Sequence, residues 1–181
     1  MIRFPDDLWF DEDAVINRVK NLWIQLLTCR SAWDLDPMKP YMSEALYQKE
    51  AEAVHADENV LRMTLAVRPA VLDSILEKGL SEPGKDKLVC RLFTRYTPRL
   101  VQKDTEKVIS EGRETFFHEE WILARPEGVK TPKPGAAFSV NCPNCGAPFS
   151  LYKSAKCPMC RSLIPVPDFI WTVEEITRQE E

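Results

Sequence analysis

Histidine is nearly missing from this chain: His55 and His118 are the only two in 181 residues. Both lie far in sequence from the clustered cysteines, so no histidine neighbours them. Long apolar runs are missing too. No stretch approaches the roughly 18 uninterrupted apolar residues of a bilayer-spanning helix. There is no cationic excess: 24 Lys and Arg stand against 28 Asp and Glu, for a net charge of −4 and a pI of about 5.4. That balance does not suit a chain built to wrap a polyanion. The start, MIRFPDDLWFDED, has neither a basic stretch nor an apolar core of the kind that directs secretion. The expectation is therefore a cytoplasmic chain with reduced thiols, which argues against disulfides. With 29% charged and 44% hydrophobic residues, the composition is that of an ordinary globular protein. The length suits one medium domain plus a small appendage.

What is present in quantity is cysteine, and four of the six fall in NCPNCGAPFSLYKSAKCPMCRSL, as Cys142-Pro-Asn-Cys145 and Cys157-Pro-Met-Cys160. A Cys-x-x-Cys turn brings two thiolates toward one point about 2.3 Å from each. Pro143 and Pro158 fix φ inside each turn, and Gly146 supplies backbone freedom after the first. Arg161 stands where the first turn has Gly146, so the second turn has to tolerate a side chain there. Eleven residues, Gly146 to Lys156, separate the pairs, enough for a short hairpin that turns the second knuckle to face the first. Two facing knuckles make a closed four-thiolate tetrahedron, the coordination of structural Zn2+. The alternative, a thioredoxin-like redox pair, would need only one such motif, opening a helix after a strand. A catalytic zinc would need an open fourth position, which Cys142, Cys145, Cys157 and Cys160 do not leave.

Charge around the motif is local. From Pro126 to Ile164 there are five basic residues (Lys130, Lys133, Lys153, Lys156 and Arg161) and one acid, Glu127, giving +4. Four thiolates and one Zn2+ ion add −2, so lysines are expected simply as compensation. Beyond Phe149 and Tyr152 there is no aromatic set to stack bases, and nucleic-acid binding is disfavoured.

Elsewhere periodicity organises the chain. From Asp11 to Arg30 the residues Val15, Val19, Leu22, Trp23, Leu26 and Leu27 recur at helical spacing, with Asp11 as N-cap. Asp36-Pro37 reads as a helix start, and Ser43 caps a second helical run, SEALYQKEAEAVHAD. Val60 to Val67 alternates imperfectly and is interrupted at Pro69; VLDSILEKG fits either period, and Gly79 ends a helix or begins a turn. SEPGKD is a turn. KLVCRLFTRYTPRL alternates cleanly, with Leu88, Cys90, Leu92, Thr94 and Tyr96 on one face and Val89, Arg91, Phe93 and Arg95 on the other. After a polar loop, VISEGRETFFHEEWILARP reads as one long strand, Phe117, Trp121 and Leu123 alternating with His118, Glu120 and Ile122. PEGVKTPKPGAA is a linker. PVPDFIWTVEEI then returns an apolar segment. The expected fold is α+β: N-terminal helices on a curved antiparallel sheet, with a concave face beneath them, and a small four-cysteine zinc ribbon. Residues 1–125 plus 165–181 form the main domain, and 126–164 the linker and ribbon insert.

The segments AWDLDPMKPYMSEALYQKEAEA, KLVCRLFTRY and EEWILAR, with the ribbon followed by DFIWTVEEI, resemble bacterial Tim-forty-four-like domain proteins. The resemblance covers about Asp11 to Ile176, and its motifs are diffuse except for the cysteines. It implies a cone-shaped fold like nuclear transport factor two, protein and membrane-lipid partners, and no catalytic residues. Relatives often carry an upstream membrane segment or a glycine-rich region, whereas this chain starts almost at the domain.

Catalysis has its own candidates. His118, beside Glu119 and Glu120, would be a general base if it pointed inward; otherwise it is an exposed strand position in a charged triplet. His55 sits as a cation near a helix C-terminus. Arg91, Arg95 and Arg99 form a basic stripe that either binds an anion or pairs with acids such as Glu114 and Glu119. Cys29 and Cys90 read as small buried apolar residues. Trp23, Trp33, Trp121 and Trp171 read as core, and Trp9 as a residue that docks on the domain or on a partner. The resulting expectation is a non-enzymatic interaction module with a protein partner. A membrane surface is the secondary candidate, and a ligand or enzyme pocket in the cone the alternative.

Overall fold

A computed structural model describes residues 2, 4, 6–56, 62–79, 82–102, 104–133, 139–150, 157–162 and 170–181. Three helical segments come first: α1, Glu12–Ala32; a 3-10 helix, Asp36–Tyr41; and α2, Glu44–Ala56. Asp11 caps α1 by accepting the Ala14 N–H at 3.0 Å. Trp33 ends α1 in the left-handed region at φ 56, and its N–H donates to the Arg30 carbonyl. Ser43 Oγ accepts the Leu46 N–H at 3.2 Å at the head of α2. The helical stripe read from the sequence is the buried face of α1, with Cys29 added to it.

The strands β1 (Arg62–Lys78), β2 (Lys85–Gln102), β3 (Val108–Glu111), β4 (Thr115–Pro126) and β7 (Thr172–Glu180) make one five-stranded antiparallel sheet. The order is β1-β2-β4-β7, and β3 pairs with β2 beyond the end of β4. The short strands β5 (Ser139–Asn141) and β6 (Pro148–Ser150) form a separate two-stranded sheet. The architecture is α+β with the sheet dominant. Among the described residues no helix is long and apolar enough to cross a membrane.

Two expectations about strand boundaries are corrected. Pro69 does not interrupt β1, which runs through it and on through VLDSILEK; the register shifts between Val67 and Ala70, and Arg68 adopts φ 53. A bulge on a strand that, among the described residues, pairs with β2 alone absorbs a residue that has no N–H. The reading of 108–126 as one strand also fails. Gly112 donates to the Pro98 carbonyl at 2.8 Å, and a Cβ at Gly112 would sit 2.7 Å from Pro98 Cγ. The strand is interrupted at 112–114, and β3 pairs with Arg99–Val101 while β4 pairs with Lys85–Tyr96. Gly79, left open between helix end and turn, follows β1 and donates its N–H to the Lys87 carbonyl.

One buried cluster contains Trp23 and Leu26 of α1, Met38 of the 3-10 helix, and Leu88, Trp121 and Val173 of the sheet. Met42 bridges in parallel to Val173, and the Ser43 N–H donates to the Val173 carbonyl at 2.8 Å, so the turn before α2 lies along β7. The alternation predicted for β2 and β4 is the observed one: Leu88, Cys90, Leu92 and Thr94 are buried, as are Phe117, Trp121 and Leu123.

Candidate metal centre

The four clustered cysteines converge. All four sulfurs lie within 4.8 Å of one another, with Cys142 and Cys160 Sγ at 3.5 Å and Cys145 and Cys157 Sγ at 3.7 Å. None is in a disulfide, and the spacings far exceed the S–S bond of about 2.05 Å. Metal–sulfur bonds of about 2.3 Å arranged tetrahedrally put sulfurs about 3.8 Å apart, so the two shorter spacings already fit the edge of such a site. Four thiolate donors could hold a metal ion and would leave no position for substrate.

Local backbone builds the cluster twice over. Gly146 N–H donates to the Cys142 carbonyl at 2.8 Å, and Arg161 N–H to the Cys157 carbonyl at 2.9 Å. Cys142 N–H reaches the Ala147 carbonyl at 3.0 Å, and Cys157 N–H the Ser162 carbonyl at 2.9 Å. Gly146 and Arg161 both adopt the left-handed region, at φ 72 and φ 62. The two knuckles therefore share one conformation, and Arg161 takes at a steric cost what Gly146 takes freely. β5 and β6 flank the first knuckle, so 142–147 is itself a hairpin loop, while the hairpin expected between the two pairs falls largely on residues that are not described. Residues 151–156, with Tyr152, Lys153 and Lys156, lie outside the described residues.

Hydrogen bonds make the sulfurs unequal. Ser162, through its side chain and its N–H, holds Cys160 down at about 5. The Cys160 N–H, with that of Met159, lowers Cys157. Cys145 is pulled down by the Ala147 N–H, yet desolvation and its contacts with the other three thiols carry it up to about 12. Ser162 Oγ accepts from Asn144 Nδ2 at 2.9 Å and from the Cys160 thiol at 3.2 Å. N–H and O–H groups pointed at sulfur favour thiolate, and thiolate is the form that binds a cation. Sequence reasoning missed Asn144 and Ser162; their signal is a polar side chain two residues from a knuckle cysteine.

Neither the family models nor the curated proteins compared with this chain gave a match.

His118 is exposed on the side of the sheet opposite Glu119, its ring stacked on Phe93 at 4.8 Å between centroids. The inward base dyad is not formed. Arg91 pairs with Glu77 and Glu120, Arg95 with Glu114, and Arg99 with Glu111; the stripe is neutralised by acids. The side chain of His55 lies outside the described residues. Trp23, Trp121 and Trp171 are core, but Trp33 is only half-buried. Trp9 is exposed, with Lys133 Nζ 5.8 Å from its ring centre. Cys29 and Cys90 are buried, and desolvation pushes Cys90 up to about 12, which keeps it a neutral thiol.

Two buried ion pairs carry more than the sequence suggested. Glu119 accepts from Trp23 Nε1 at 2.7 Å, Thr94 Oγ1 at 3.1 Å and Trp121 Nε1 at 3.2 Å, with Arg178 Nη2 at 3.1 Å. At the other end of β4, Arg125 donates to Asp7 Oδ2 at 2.7 Å and lies 4.4 Å over the Trp171 ring. Thr131 gives Asp7 both its N–H, at 3.0 Å, and its hydroxyl, at 2.8 Å. The linker expected after Pro126 therefore starts as a docked segment.

Proposed function

We propose that this chain is a non-catalytic interaction module of the Tim-forty-four-like kind, in which Cys142, Cys145, Cys157 and Cys160 hold one structural Zn2+. In this reading the helices pack on a curved sheet, residues 126–164 form the inserted ribbon, and the ribbon braces or presents a surface for a protein partner. One observation carries it: the donor set is four thiols and nothing else, so a bound ion is closed to substrate. Zinc would supply folding free energy to 139–162 rather than reactivity. The exposed, stacked position of His118 supports the absence of a catalytic base. Asp7 and Arg125 hold Thr131, which keeps the start of the linker on the sheet domain.

The test is a native pull-down with metal analysis. One zinc per chain is expected, together with a co-purifying protein that is lost when 139–162 is deleted. Zinc-free protein with an intact ribbon, or partner capture indifferent to the deletion, overturns the reading.

A further inference from the structure

The helices pack on one face of the sheet, where Leu88, Cys90, Leu92 and Trp121 join the core cluster. The residues between them form the opposite face, and no helix among the described residues covers it. Its middle row runs Ile75, Arg91, Glu120 and Thr177 across β1, β2, β4 and β7. Ile75 is 54% exposed, and half of the Arg91 side chain is open to water. The next row runs Asp73, Phe93, His118 and Gln179, and the two rows line a hollow of about 590 Å³. We propose that this face docks a second copy of the chain, about a two-fold axis that runs along the strands between β2 and β4.

Charge order is the first argument. A two-fold axis in that place lays β2 of one copy over β4 of the other, and β1 over β7. Arg91 then faces Glu120 of the other copy, and the symmetry makes the contact twice. Arg91 and Glu120 already pair within each copy at 2.9 Å. The four side chains form a square of alternating charge, with five N–H donors on each guanidinium to share. Packed sheets cross at about 30°, but residues only half a strand spacing from the axis slide past each other by just about 1.2 Å. In the next row, Phe93 and His118, stacked at 4.8 Å within one copy, meet an aromatic pair again. Asp73 meets the Gln179 carboxamide, a donor for its carboxylate. On the other side of the middle row Val89 meets Ile122. Glu77 and Glu175 meet as like charges at the corners, where both are exposed and screened by water. A pattern that complements itself names its own partner, because an unrelated protein would need the same charge order. Area is the second argument. The β2–β4 pairing runs from Lys85 to Tyr96, about 41 Å, on a face three to four strands wide. That is about 600–800 Å² in projection, near the roughly 800 Å² per partner of a standard specific interface.

The experiment is sedimentation velocity on the full chain. Between about 1 and about 200 μM it should show a reversible dimer with Kd on the order of 10 μM. Arg91→Glu and Glu120→Arg each set like charges across the axis, and each alone should weaken dimerisation at least about tenfold. An equimolar mixture of the two variants should recover it to within about threefold of the parent, because each reversed side chain then faces an opposite charge on the other copy. Within a single copy both variants keep their like charges whether mixed or not, so the recovery reads the interface and not folding. Ile75→Lys, which leaves the charge square untouched, should also weaken the dimer. Leu8→Ala, at an exposed residue outside this face, should not. A chain that stays monomeric over this range, a dimer kept by both single variants, or a mixture that remains monomeric overturns the proposal.

Discussion

Trp23 on α1 donates its indole N–H to the Glu119 carboxylate on β4 across 2.7 Å, joining residues 96 apart in sequence. Glu119 is 2% exposed. A carboxylate taken from water is tolerated only when its lone pairs are satisfied and its charge is matched. Trp23, Trp121 and Thr94 satisfy the oxygens, and Arg178 brings the opposite charge. This polar knot, and not apolar packing alone, ties the first helix to the sheet.

Glu119→Ala should therefore destabilise the protein by about 3–5 kcal/mol, because it strands Arg178 and two indole donors. Urea unfolding followed by tryptophan fluorescence reads the loss. Trp23→Phe combined with Glu119→Ala should cost less than the sum of the singles, and strict additivity would refute the coupling.

Removing the metal should act locally. Chelation of the zinc-loaded protein, or Cys142→Ser, should release one zinc and loosen 139–162 in hydrogen exchange. The β5–β6 pair is a sheet separate from the five-stranded one. Amides of β2 and β4 should therefore keep their protection, and their loss in step with the ribbon would contradict this separation.

Arg161 occupies a left-handed position at φ 62, and Gly146 occupies the equivalent one at φ 72. Arg161→Gly should tighten zinc binding about fivefold, the equivalent of about 1 kcal/mol of relieved strain. Arg161→Val should weaken it. Competition against a chromogenic chelator measures both.

The Asp7–Arg125 pair should show in the pH dependence of stability. Burial alone would raise the Asp7 carboxyl, but hydrogen bonds from Arg125 and Thr131 outweigh it and leave it below its usual 3.8. A carboxyl lowered in the folded state stabilises above the unfolded value, and that stabilisation fades as pH falls through the lowered folded value. Asp7→Asn should be markedly less stable than the parent at pH 7. The gap should narrow from pH 4 downward, and a gap constant between pH 7 and pH 3 would exclude this role.

His118→Ala should change stability by less than about 1 kcal/mol and leave partner capture intact. An unfolded variant, or one that loses a substrate turnover shown by the parent, would argue against the non-catalytic reading.

Much of the fold and all four candidate ligands were legible because they rest on short-range physics. Cys-x-x-Cys spacing places two sulfurs on one turn wherever the chain goes. The stripe from Val15 to Leu27 follows helical geometry, and Leu88 to Thr94 alternates because a strand turns successive side chains to opposite faces. Less legible were features that depend on what lies across the sheet. The expected long strand is interrupted at 112–114, where Gly112 lies so close to Pro98 that a side chain would not fit. Pro69 is absorbed because, among the described residues, β1 pairs with β2 alone and can bulge.

His118, Glu119 and Glu120 are one charged triplet in the sequence, and strand alternation by itself says only that the middle residue faces away from the other two. Tertiary structure decided which side was interior, by setting Trp23 and Trp121 opposite Glu119 and Phe93 beside His118. The same holds for Asp7 and Arg125, 118 residues apart: an acid near the start and an arginine ending a strand look like surface charges until folding closes them over Trp171. Sequence alone determined the thiol cluster and the helix and strand faces, because neighbours along the chain are sufficient to define them. Which charges are buried depended on distant residues meeting, since only they can replace the water that burial removes.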